Sequence, residues 1–155
     1  MARTYTVPFT AVSVSAAQDL WEITPADDKP VKILGLVIGQ YSDVGDANSE
    51  NLSVKISRGW GTSGSGGTTP TPSPVGQADA AAGFTSEVNN TTVASTGTEV
   101  VLFSDVWNTQ AGYQMWFPEG CQPGCSQATG AILTVRITAP ADSITANGTL
   151  FVSEE

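Results

Sequence analysis

Leu52-Ser53-Val54-Lys55-Ile56-Ser57 and Leu133-Thr134-Val135-Arg136-Ile137-Thr138 decide the fold. In both runs an aliphatic side chain alternates with a polar one. That period of two fits a β-strand with one buried and one wet face, and no helical face can be drawn through it. The N-terminus repeats the pattern with Tyr5, Val7 and Phe9, and then the apolar parity switches to Val12 and Val14. A one-residue switch predicts a bulge near Thr10 and Ala11, and Pro8 favours an edge strand.

Working outward, strands are expected over residues 19–24, 31–40, 84–89, 98–104, 113–117 and 148–153. The turn-rich segments between them are 25–30, 42–49, 59–76, 95–97, 118–124 and 140–147. No 12-residue window carries a helical stripe, and residues 78–83 could form one turn at most. Short strands without helices predict an all-β fold, an antiparallel β-sandwich of the jelly-roll kind, with residues 1–155 as one domain. The Gly/Ser/Thr/Pro segment 59–76 reads as a long flexible loop. No lysine follows its glycines as a phosphate-binding loop requires.

Two strands are apolar at both parities. In residues 31–40, Val31, Ile33 and Val37 oppose Leu34, Leu36 and Ile38; in residues 98–104, Val100 and Leu102 oppose Val101 and Phe103. Either a loop of the same chain or a neighbouring subunit covers the second face.

Fifteen acidic residues against six cations give a formal net charge of -9. The cations, Arg3, Lys29, Lys32, Lys55, Arg58 and Arg136, are scattered singly. Nucleic-acid binding needs them clustered, so it is not expected. No apolar run approaches the length of a membrane span, and the N-terminus lacks the apolar stretch of an export signal. Assembly in a cytoplasm is therefore expected, without a membrane partner.

There is no histidine, which removes the commonest general base and the usual triads. Most acids fall in turns; Glu22 and Glu87 lie on expected strands without a visible partner. No enzyme and no cofactor are expected. Asp43, Asp46 and Glu50 form a weak candidate calcium set whose spacing is not that of an EF-hand. Cys121 and Cys125, in GCQPGC, read as two free thiols or a loop disulfide; zinc is least favoured without histidine or a second pair. The sequons at Asn51, Asn89, Asn90 and Asn147 read as composition in a chain without an export signal.

The run GQYSDVGDANSENLSVKISRGWGTSGSGGTTPTP at 39–72, with NNTT at 89–92, DVWNTQAGY at 105–113 and the closing ITAPADSITANGTLFVSEE, resembles small structural proteins of tailed bacteriophages and prophages. The GCQPGC loop falls outside that resemblance. What the resemblance implies is a capsid decoration (cement) protein on the outer surface of the virion. Such a protein would form a homotrimer and clamp the major capsid protein against internal pressure. Candidate interface residues are Trp60, Trp107 and Trp116, together with Arg3 and Tyr5 in an N-terminal arm that could add a strand to a neighbour. Trp21, alternating with Glu22, reads as core. The alternatives are a tail, baseplate or fibre module and a carbohydrate-binding jelly-roll domain, since one fold hosts all three roles.

Overall fold

The two alternating runs lie side by side. In the computed structural model, which describes residues 2–45, 50–126 and 131–155, they belong to β4 (Asn51–Thr62) and β10 (Ile132–Ile137). These are antiparallel neighbours, with Ile56 opposite Val135 and Val54 opposite Ile137. Their aliphatic side chains are buried. The other strands are β1 (Arg3–Val14), β2 (Gln18–Thr24), β3 (Val31–Gln40), β5 (Ser73–Pro74), β6 (Thr85–Asn90), β7 (Ser95–Asn108), β8 (Tyr113–Trp116), β9 (Gly124–Cys125) and β11 (Ile144–Glu154).

They form two antiparallel sheets packed face to face in a β-sandwich. The first has the order β5-β1-β11-β3-β8, with β9 also paired to β3; the second has the order β6-β2-β10-β4-β7. The inward residues of both sheets, among them Tyr5, Val7, Trp21, Ile33, Leu36, Ile56, Trp107, Val135 and Leu150, form one core. Each fully buried aliphatic or aromatic side chain contributes about 1.5–3 kcal/mol of burial, which sets the face each strand turns inward.

The parity switch in β1 is a bulge: register shifts between Phe9 and Val12, and Ala11 has φ of 54°. The second apolar anomaly has a different cause from either expected. Register also shifts in β3, where Gly35 faces Phe151 but Ile33 faces Val152, leaving Leu34 as the extra residue. The bulge turns Val31, Ile33, Leu36 and Ile38 to the same core, while Leu34 and Val37 remain half-buried outside. Most of that second face is a local register slip.

The turn-rich segments are also shorter than expected. β4 runs on to Thr62 and β11 begins at Ile144. Beyond Thr62 the Gly/Ser/Thr/Pro segment is hydrogen-bonded rather than loose. Ser65 and Thr92 exchange both backbone bonds, as do Thr68 and Val88, and Ser73–Pro74 then pair with β1. The segment is a strap that crosses from the edge of the second sheet at β6 to the edge of the first at β1. Val75 donates to Thr4, and the Tyr5 hydroxyl donates to Ala80, continuing the closure.

The N-terminal segment is no free arm. Arg3 to Phe9 pair with β11 on one side, and Tyr5 and Thr6 pair with β5 on the other. Tyr5 and Val7 are fully buried, so removing residues 2–7 would take out part of the core instead of a detachable tail.

Candidate interaction surfaces

The five residues expected at an interface separate into two groups. Tyr5 and Trp107 are buried, and the Trp107 indole donates to the Ala111 carbonyl at 2.8 Å. Neither offers a side chain to a partner; Trp107 lies on the inward parity of β7 because that strand continues to Asn108. Arg3 and Trp116 are exposed. Trp60 is half-buried on the outer face of the second sheet. Its indole donates to Ser57 and Thr134 hydroxyls at 3.2 and 3.1 Å, and the Arg136 guanidinium lies 4.6 Å above its ring. Trp60 thus roofs polar positions of its own sheet.

Around Trp60 this outer face is polar and covered. Asp19 is buried and accepts hydrogen bonds from Arg136 and from the Ala94 amide. Glu22 lies directly opposite Glu87 across the β2–β6 pair. Ser63 donates to both carboxylates, and the Gly64 amide donates to Glu22. Burial pushes the Glu22 carboxyl above the usual carboxylate range, with Asp19 adding to the shift and the Asn90, Ser63 and Gly64 donors opposing it. The pair anchors the strap, a role that sequence alone did not assign.

Of the candidate calcium set, only Asp43 and Glu50 are described. Asp43 receives Gln40 and Gln110 on its backbone carbonyl. Glu50 is occupied by the Ala141 and Asp142 amides at 2.8 and 3.1 Å, and Asp46 lies outside the described residues. Among the described residues no three His, Cys, Asp or Glu side chains are grouped to hold a metal, and no helix is long and apolar enough to cross a membrane.

Cys121 is exposed, Cys125 is buried, and both are free thiols. Burial pushes the Cys125 thiol up to about 12 despite the nearby Arg58 charge. Since the thiolate is the reactive form, an alkylating reagent at neutral pH is expected to modify Cys121 in the folded protein and Cys125 only after denaturation. Mass analysis of the labelled peptides checks this; equal labelling of both in the folded state would contradict the burial.

The two lateral sides of the sandwich differ. At the β1/β6 side the strap covers part of each edge, pairing with Val88 of β6 and with Tyr5 and Thr6 of β1. At the other side β7 and β8 end their sheets without a further strand among the described residues. Their sheets are tied across the core by a Phe103–Phe117 edge-to-face contact and by the Tyr113 hydroxyl donating to Asp105. Burial and the Asp105 charge raise the Tyr113 pKa well above its ordinary value, so this tie keeps its proton. β7 is the longest strand, and Val100, Val101 and Val106 on it are 44, 51 and 59 % exposed. The doubled apolar parity of this strand includes a register slip, with Phe103 opposite Ile56 and Val101 opposite Ser57 leaving Leu102 as the extra residue; Val106 was missed because a lone valine between Asp105 and Trp107 gives no pattern.

A second surface lies on the outer face of the first sheet. Trp116, half exposed, covers Gly35 and meets Phe151 at 4.8 Å between ring centroids. A Cβ on Gly35 would come within 2.4 Å of the indole, so only glycine lets the ring lie there. One row along, Val37, Thr149 and Pro8 are cross-strand neighbours. With Thr10, Gly39 and Asn147 they line an open groove of about 420 Å³. Against known proteins, the chain matches no protein-family model, no curated protein and no solved structure.

Proposed function

We propose that the chain is a non-enzymatic virion structural protein of the capsid-decorating type, which binds the outer surface of the major capsid protein lattice and other copies of itself. The observation that carries the proposal is the asymmetry of the two lateral sides. A long edge strand bearing exposed valines is an aggregation liability that proteins usually blunt with lysine, proline or a covering segment. This chain uses a covering segment at β1/β6 and leaves β7/β8 open, as a protein does where a partner supplies the cover. The strand order supports the jelly-roll assignment: β1-β11-β3-β8 faces β2-β10-β4-β7, so the first and last long strands are neighbours. The sequence resemblance supplies the virion context. The acidic charge adds that phosphate backbones are repelled.

The test uses capsids assembled without this protein by the phage that encodes it. The purified chain is expected to co-sediment with them at a fixed high copy number. Val101→Lys is expected to weaken attachment at least ten-fold, about 1.4 kcal/mol, because it places a charge in the centre of the open edge. A chain that stays in the supernatant overturns the proposal.

A further inference from the structure

We propose that the outer face of the first sheet is the surface through which two copies of this chain meet, with Trp116 of each copy packed over the Pro8 and Val37 groove of the other. This deepens the self-association part of the proposed function and does not use the β7 edge. Three observations on this face converge. The outward positions from Thr4 to Thr10 on β1, Thr145 to Phe151 on β11, Gly35 to Gly39 on β3, and Gln114 and Trp116 on β8 carry no charge. Beyond Gly35 along β3, Lys32 is paired with Glu155. In a chain of net charge -9, two copies approach with least repulsion through such a face.

The face is also self-complementary. Trp116 lies at the β8 edge and the groove lies toward the β1 edge. A two-fold axis lying in the plane of the face, inclined to the strands by the one-row offset between Trp116 and Pro8, brings β8 of one copy over β1 of the other. Each indole then faces the partner's Pro8 and each groove the partner's Trp116, the reciprocity of an isologous contact. Finally, the ring is already placed. Gly35 beneath it and Phe151 beside it hold the indole before contact, so little side-chain freedom is lost on binding. Tryptophan is also the side chain most often found to dominate an interface.

The experiment is sedimentation velocity on the purified full chain over a wide concentration range and at two salt concentrations. Reversible association is expected, unchanged or strengthened by salt because screening relieves the repulsion between acidic copies. Trp116→Ser and Thr149→Arg, the second placing a charge in the groove, are each expected to raise the dissociation constant at least ten-fold with an unchanged circular dichroism spectrum. A chain that is monomeric up to its solubility limit overturns the inference, as does association that both variants leave intact or that salt abolishes. Capsid co-sedimentation is read separately, so loss of one activity with retention of the other distinguishes this inference from the wider proposal.

Discussion

Trp21→Ala is expected to lower the unfolding free energy by about 3–5 kcal/mol, the range for removing a large aromatic side chain from a packed core. Trp21 belongs to β2, in the second sheet, but its side chain reaches the first. The indole is fully buried, donates from Nε1 to the Val7 carbonyl at 2.8 Å, and meets Phe9 at 5.0 Å between centroids. It also approaches β11 so closely that a Cβ on Gly148 would come within 2.8 Å of its Cη2. The side chain therefore links both sheets and fills space that β11 vacates by using glycine. Alanine leaves a cavity between the layers that neither β1 nor β11 can close without breaking its register. Since a domain of this kind has about 5–15 kcal/mol in total, the variant should unfold at a much lower urea midpoint with an unchanged slope. Trp21→Phe keeps most of the volume and loses the Nε1 bond, so a smaller loss is expected. An alanine variant within about 1 kcal/mol of the parent would show that the two layers do not depend on this contact.

Trp21 was legible as core because it sits on a strand where polar and apolar residues contrast. The same contrast made the bulge in β1 readable: Val12 and Val14 change parity against Thr and Ser. In β3 there was no contrast to read. Val31, Ile33, Leu34, Leu36, Val37 and Ile38 are all apolar, so a bulge at Leu34 leaves no mark in the sequence. What fixes it is the pairing with Phe151 and Val152 on β11, more than a hundred residues away. The strap was misjudged for a related reason. Gly, Ser, Thr and Pro indicate backbone freedom, but its partners are carbonyls and amides of Val88 and Thr92 and the carboxylates of Glu22 and Glu87, which composition cannot reveal. Of the tryptophans, Trp107 lies beyond the strand expected over residues 98–104, and four further paired residues of β7 carry it inside. Trp116 kept its exposure because β8 is short and ends its sheet.

Asp19→Ala is expected to cost about 3–5 kcal/mol, the range for removing one partner of a buried ion pair. Asp19 is fully buried. It takes two hydrogen bonds from Arg136, the Nη2 one at 3.0 Å, and one from the Ala94 amide at 2.7 Å. Without the carboxylate, a guanidinium whose side chain is 17 % exposed keeps only the Ala94 carbonyl and the Trp60 ring among these partners. Asp19→Asn keeps the shape and is expected to lose less. Replacing both partners by apolar residues, Asp19→Leu with Arg136→Met, should recover much of the loss, because neither charge is then stranded. The comparison separates the worth of the pair from the penalty of orphaning it; a double variant as unstable as Asp19→Ala would assign the loss to packing at Asp19. The pair also has a positional consequence. Both backbone groups of Ala94 are held by it, and β7 begins at the next residue. Loosening Ala94 frees the start of the open edge strand. Under conditions where the variant remains folded, the capsid attachment proposed above is therefore expected to fall, although Asp19, on β2, lies three strands across the sheet from β7's exposed valines.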